Sequence, residues 1–237
     1  MKNFTLYDCV TSTNDLLKQE AINGACEGTV IASLSQTKGR GRRGKKFISK
    51  KGGMYLSILV RPKELNFDTT LITCKTCVAV CKAIEEVTGR KTAIKWVNDI
   101  LIDNKKVCGI LCESGICGTD VFVVVGIGLN YFCTDFDDNI KDIATNIFET
   151  KDTAKEERLT ELIIDKFFEI YKMSDFLEEY KKRSIVLGKE ISVLKNGKTI
   201  PAIAQDIDGK CRLKVKYKDQ SQELLSTNEI SIKLKEL

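Results

Sequence analysis

The sequence predicts an α/β domain that gives way, near residue 183, to a small all-β module. Three observations carry this. Short apolar runs of strand length are interleaved with longer segments over most of the chain. Two of those segments, 70–88 and 155–173, repeat apolar residues at helical spacing. From Ile185 the pattern changes to period two in GKEISVL, TIPAIAQDI, CRLKVKY and NEISIKL, with turns at Asn196-Gly197, Asp208-Gly209 and Asp219. The expected division is 1–183 and 184–237.

Taken in order, Phe4 to Val10 reads as a short strand. Thr11-Ser12-Thr13-Asn14 then precedes the amphipathic run LLKQEAI, and hydroxyl and amide side chains there suit a helix N-terminus. Thr29–Leu34 and Met54–Val60 are strands on either side of a basic loop. In 70–88, Leu71, Cys74, Val78, Cys81 and Ile84 share a face, and Gly89 ends the helix. Ala93–Trp96 and Ile100–Ile102 are short strands, Asp103-Asn104 a turn, and Lys106–Glu113 a longer strand. Gly109 inside that strand suggests close approach of a backbone or ligand. Asp120–Asn130 is an apolar strand, 134–150 a polar loop with a short helix, and 155–173 and about 174–184 are helices.

Composition sets limits. The 237 residues are 43% hydrophobic and 30% charged, as in ordinary globular chains. No stretch is long and apolar enough to span a bilayer, and the N-terminus lacks a signal peptide's apolar segment, so a cytoplasmic protein is expected. Histidine is absent, which excludes Ser-His-Asp and Cys-His catalysis. Most of the ten cysteines lie among apolar neighbours and read as small hydrophobes; Cys74-x-x-Cys77 sits mid-helix without a second pair to complete a zinc site.

Charge is concentrated in one loop. Eight basic residues and no acid lie between Lys38 and Lys51; the chain holds 38 basic and 33 acidic residues, so without the loop it is net negative by three. Like charges this close repel, and the loop is expected to stay loose until an anion holds it. Gly39, Gly41 and Gly44 fit the dinucleotide fingerprint, and Gly39 to Lys45 fits the start of a P-loop. Both need a helix next, and here a strand follows; Lys46 also stands where a P-loop needs Ser or Thr. What remains is a set of Arg forks suited to phosphate or carboxylate.

Five segments, in this order, resemble biotin–protein ligases: Ser12-Thr13-Asn14; Gln36 followed by GRGRRG from Gly39; K-W-x-N-D from Lys95; K-x-x-G-I-L from Lys106; and GIGLN ending at Asn130. Where the commonest family form has proline after the tryptophan, this chain has Val97. The resemblance implies an α/β catalytic domain with a mixed sheet, like class II tRNA synthetases, closed by an SH3-like β barrel. It implies an ATP-dependent enzyme that makes biotinyl-5′-AMP and transfers biotin to a lysine of a biotin carrier domain.

The resemblance also implies roles. Ser12, Thr13 and Asn14 meet the ureido ring, and Gln36, Gly39, Arg40, Gly41, Arg42 and Gly109 complete the biotin site. Arg40, Arg43, Phe47, Lys95, Asn98, Asp99 and Asn130 serve ATP, with magnesium on Asp99. Lys106 reaches both substrates, and Lys106, Arg42 and Asp99 carry the chemistry. Family members occur as monomers and homodimers. Ser12 stands too near the start for the winged helix of the ligases that act as repressors, so no DNA partner and no membrane partner are expected. Two alternatives stay open: a lipoate or octanoate ligase of the same superfamily, whose Arg-Arg…Gly-Gly-Gly loop is absent here, and a nucleic-acid-binding regulator that uses the basic loop.

Overall fold

Two sheets organise the chain in a computed structural model that describes residues 3–63, 67–195, 197–226 and 231–234. Asn196 of one predicted turn and 228–230 of the last predicted strand lie outside the described residues. The first sheet is built from β1 (Phe4–Tyr7), β2 (Val30–Ser33), β3 (Gly53–Val60), β4 (Ala93–Lys95), β5 (Asp99–Ile102), β6 (Lys105–Cys117) and β7 (Asp120–Asn130). Its order is β1-β2-β3-β7-β6-β5-β4, with β1 parallel to β2 and every other pair antiparallel, a mixed sheet as expected.

One face of this sheet carries the main apolar core. Leu56, Ile58 and Val60 of β3, Val123, Val125, Ile127 and Leu129 of β7, and Cys108 and Ile110 of β6 point into one core. They alternate along each strand because successive side chains leave a strand on opposite faces. Helices α2 (Thr69–Thr88) and α3 (Thr153–Tyr171) cover that face through residues such as Val78, Cys81, Ile163 and Phe167. The periodicity of both helices predicted this. The Asp68 carboxylate accepts from Thr70 N at 2.7 Å to cap α2, and Gly89 (φ 70°) ends it in the left-handed conformation. Burial pushes the Cys74, Cys77 and Cys108 thiols far above their ordinary range and that of Cys81 up to about 12, so these cysteines are packing groups.

The opposite face is covered only in part. Helix α1 (Thr13–Ile22) lays Leu17 and Ala21 on Ile31, Leu59, Phe122 and Val124. Ser12, in extended conformation, caps it by accepting from Asp15 N. Beyond α1 the face carries glycines, and there the cavity described below opens.

Helix α4 (Leu177–Arg183) leads to the second sheet, whose strands β8 (Glu190–Lys195), β9 (Lys198–Ile207), β10 (Leu213–Tyr217), β11 (Gln222–Leu225) and β12 (Ser231–Leu234) are all antiparallel in the order β11-β10-β9-β8-β12. β11 has only four residues and was not separable from its turn by alternation alone. Arg183 ties α4 to α2, bonding Glu85 at 2.5 Å, and also pairs with Glu179 one turn back in α4 at 2.6 Å.

Two expectations change, and the basic loop can be traced. The first strand stops at Tyr7, and Val10 instead bridges to Gln36. Segment 134–150 forms successive turns around Asp137–Ile140 rather than a short helix, because its later part is drawn along β6: Lys106 N donates to Ile143 O and Thr145 N to Lys106 O. The basic loop follows a defined path: Gln36 bridges Ser49, Arg40 bridges Lys46, and a 3-10 turn spans Arg42–Gly44. Its charges do not face each other alone, as the site shows.

Asp68→Ala is expected to lower unfolding stability by about 1 kcal/mol, the usual cost of a lost N-cap. Urea unfolding checks this; an unchanged midpoint would mean that α2 does not depend on its cap.

Candidate functional site

Strand register builds the floor of the site. Lys95 pairs with Asp99, Asp99 with Gly109, Gly109 with Gly128, and Gly128 with Tyr55, so one cross-strand row runs from β4 to β3. Two residues along, Leu111, Gly126 and Ser57 form the next row. Directly paired residues share a face, and rows two residues apart lie on that same face. Gly109, Gly126 and Gly128 therefore remove side chains from adjoining positions of one surface. The result is a cavity of about 450 Å³ in the uncovered part of the sheet.

The glycines are needed for space. A Cβ on Gly128 would lie 2.5 Å from the Phe47 ring, one on Gly109 2.9 Å from the same ring, and one on Gly126 2.3 Å from Asn14 Oδ1. Phe47, on the basic loop, thus lies across the paired glycines, edge-on to Tyr55 with ring centroids 6.3 Å apart. Lys106 Nζ sits 5.5 Å from the centre of the same ring.

One end of the cavity is polar and closed. Ser12, Thr13, Asn14 and Ser57 are 2%, 3%, 5% and 0% exposed. Thr13 donates from N (2.8 Å) and Oγ1 (3.2 Å) to Gln36 Oε1, and Gln36 Nε2 donates to Ser49 Oγ. Ser57 Oγ donates to Asn14 Oδ1 at 2.6 Å and lies 2.8 Å from Thr13 Oγ1. Asn14 Nδ2 donates to Glu113 at 2.7 Å and to Leu111 O at 3.3 Å. Glu113 also takes Lys18 at 2.7 Å and Arg40 at 3.3 Å, while Arg40 pairs with Asp15 as well. Burial alone would raise the Glu113 carboxyl; the hydrogen bonds from Lys18 and Asn14, with the nearby Arg40 charge, outweigh it and hold it below the usual carboxylate range.

The other end is cationic. Arg42, Arg43, Lys45, Lys46, Lys95 and Lys106 line it, and Asp99 is the one acid among the lining residues. Lys106 Nζ is 2.6 Å from Asp99 Oδ1. Arg42 donates to Asn98 Oδ1 at 3.2 Å, and Asn98 Nδ2 donates to Ile110 O at 2.8 Å, which fixes the amide on β6. Burial lowers the Arg42 guanidinium from its ordinary value, against the pull of Asp99. The loop that carries Asn98 is held from behind. Trp96 Nε1 donates to Cys211 O at 3.0 Å in the second sheet's region, and Tyr180 Oη donates to Val97 O at 2.9 Å. The Trp96–Val97 peptide is cis. Leu194 of β8 also reaches the cavity lining.

Most residues predicted for the site lie around this one cavity: Ser12, Thr13, Asn14, Gln36, Arg40, Gly41, Arg42, Arg43, Phe47, Lys95, Asn98, Asp99, Lys106 and Gly109. Gly39 and Asn130 do not line it. A Cβ on Gly39 would meet Ser49 Oγ at 2.3 Å and Phe47 O at 2.4 Å, so Gly39 lets the loop fold on itself. Asn130 donates from Nδ2 to Lys106 O and Thr145 O, which holds the backbone behind Lys106. Sequence reasoning missed Ser57, Glu113, Gly126 and Gly128. For the two glycines a signal existed: Gly-Ile-Gly in a strand places both on one face.

The model of the "Biotin/lipoate A/B protein ligase family" matches residues 6–130, and that of the "Biotin protein ligase C terminal domain" matches 186–233. The chain belongs to the biotin/lipoate A/B protein ligase family. Among relatives, a bifunctional ligase/repressor BirA of Bacillus subtilis (strain 168) is 39% identical over 145 residues, 60% of this chain and 45% of that protein, so the match spans less than half of the relative's length. A biotin–[acetyl-CoA-carboxylase] ligase of Mycobacterium tuberculosis is 29% identical over 85% of this chain and 79% of its own. Among solved structures, a biotin protein ligase from Aquifex aeolicus in complex with biotin and ATP superimposes with a TM-score of 0.82 at 26% identity, covering 99% of this chain and all of that one. No helix among the described residues is long and apolar enough to cross a membrane.

Gly128→Ala is expected to lift Phe47 off the floor and free the loop. Amide hydrogen exchange across 38–49 should then quicken while exchange in β3 and β7 stays slow. Unchanged loop exchange would mean that the ring does not hold the loop.

Proposed function

We propose that the chain is a biotin–protein ligase: it activates biotin as biotinyl-5′-AMP and transfers it to a lysine of the biotin carrier domain of a carboxylase. The observation that carries this is a single cavity joining a closed, buried polar end to a cationic end. A bicyclic ring bearing N–H and C=O groups suits the first, and a carboxylate meeting a triphosphate suits the second. The matched C-terminal family and the acetyl-CoA carboxylase ligase among the relatives support biotin and a carboxylase acceptor.

The chemistry follows from charge. A biotin carboxylate oxygen attacks the α-phosphorus of ATP, the bond to the bridging oxygen breaks, and pyrophosphate leaves with the electron pair. The reacting groups are both anionic, so the residues act by neutralising and orienting them. Lys106 meets carboxylate and α-phosphate, and Arg42 and Arg43, with Lys45 and Lys46 behind them, meet the phosphates. Asn98 orients Arg42, and Lys95 adds charge beside Asp99. In the second step the neutral amine of the acceptor lysine attacks the acyl carbon, the C–O bond to AMP breaks, and an amide forms with loss of a proton. The loop from Lys38 to Lys51 covers the adenylate and keeps water from it.

Magnesium fits this site in one mode only. Among the described residues no group of three metal-ligating side chains exists, and Asp99 is already paired with Lys106. Such a site makes no all-protein cage. It suits the usual arrangement of one carboxylate plus substrate phosphate oxygens, with Asp99 as that carboxylate. A bound magnesium ion would offset charge on the leaving pyrophosphate.

We further propose that 1–183 form the catalytic unit and 184–237 a closing module. The bond from Trp96 to Cys211 O and the position of Leu194 support this. The buried hydroxyls and amides at the closed end favour biotin over lipoate, because a ligand lacking hydrogen-bonding groups would leave them poorly matched.

Pyrophosphate exchange into ATP tests the reading, with biotin, lipoate or octanoate added in turn. Exchange driven by biotin alone is expected; exchange driven by lipoate or octanoate would move the assignment to the other branch of the family, and none at all would overturn it. Arg42→Gly is expected to keep the fold but to release free adenylate. A mixture of carrier domain and bystander protein should then become biotinylated on both, and labelling confined to the carrier would contradict the retention role.

A further inference from the structure

We infer that Glu113 is a positioning residue for the acid substrate: it holds Arg40 of the basic loop against Asn14 of α1 and so sets the closure of the polar end of the cavity. The inference rests on the proposed ligase reading and deepens it. Glu113 lies on the cavity-side face of β6, two residues beyond Leu111 and away from the reacting end. Three side chains converge on its one carboxylate: Asn14 Nδ2 at 2.7 Å and Lys18 Nζ at 2.7 Å from α1, and Arg40 Nη2 at 3.3 Å from the loop.

Asn14 shows what this arrangement does. Its two amide hydrogens go to Glu113 and Leu111 O, and its oxygen accepts from Ser57 Oγ. An amide has two donors and one acceptor group, so each already has a protein partner, and Asn14 serves the site by orienting Ser57 and Thr13. Glu113 fixes which way that amide faces: a carboxylate can only accept, so the NH2 group must turn to it and the oxygen to Ser57. The same carboxylate, with Asp15, gives Arg40 an acidic partner within a loop that contains none of its own. Lys18 offsets the extra negative charge from the α1 side. The carboxylate therefore couples the ring-binding end to the first arginine of the loop, while Lys106, Asp99 and Arg42 stand in other contacts.

Glu113→Gln and Glu113→Ala test this in pyrophosphate exchange and in direct biotin binding by calorimetry without ATP. Gln keeps the shape but brings its own NH2 group toward three donors. Both variants are expected to raise Kd and KM for biotin about tenfold, the effect of losing one charge-assisted bond of order 1.4 kcal/mol. KM for ATP and kcat should stay within about twofold on the same scale. Glu113→Asp should recover part of the biotin affinity. Melting curves identify any variant that fails to fold, and Gln, the isosteric change, then decides. Folded variants with unchanged biotin affinity, or with KM for ATP raised as much as that for biotin, would overturn the inference. Parent protein that binds no biotin would instead overturn the ligase reading, and the positioning role with it.

Discussion

The register of β6 on β7 is the constraint on which the site depends. It sets Gly109 opposite Gly128 and Leu111 opposite Gly126, so the middle of a seven-stranded sheet loses its side chains on one face only. On the other face of the same strands Cys108, Ile110, Val125 and Ile127 remain packed against α2 and α3. A slip of one residue would turn the glycines into the core and the apolar residues into the cavity. The long antiparallel pairing of Cys108–Cys117 with Asp120–Leu129 excludes that slip, and the rows beside it place Lys95 and Asp99 at one end and Ser57 at the other.

Charge is distributed to suit that floor. The basic loop crosses above it with Phe47 on the glycines, and its arginines find partners that belong to other elements. Arg40 meets acids at the polar end, and Arg42 meets an amide at the cationic end. Repulsion within the loop is thus relieved locally, yet Asp99 is the only acid among the residues lining the cavity. The site keeps a surplus of positive charge for an anionic ligand, and partial burial strengthens it.

The sequence made the local features legible and left the long-range ones dark. Periods of 3.6 and 2, the Ser12 cap and the Gly89 stop are properties of neighbouring residues, and α1, α2, α3 and most strands follow from them. Resemblance grouped Ser12, Gln36, Arg42, Asp99 and Lys106, which the fold brings around one cavity. Ser57 and Glu113 were unreadable because their partners lie 43 and 99 residues away at Asn14, and nothing in a strand's own pattern names such a partner. The loop's partners are distant in the same way: the acids that pair with Arg40 come from α1 and β6, and those that pair with Lys50 come from the 134–150 segment.

A crystal structure with a non-hydrolysable biotinyl-adenylate analogue tests the central claim most directly, that one cavity holds the two substrates end to end. The account predicts the ureido ring beside Ser12, Thr13 and Gln36 and the acyl phosphate beside Lys106 and Arg42. An analogue bound in the opposite sense, or away from the paired glycines, would contradict it.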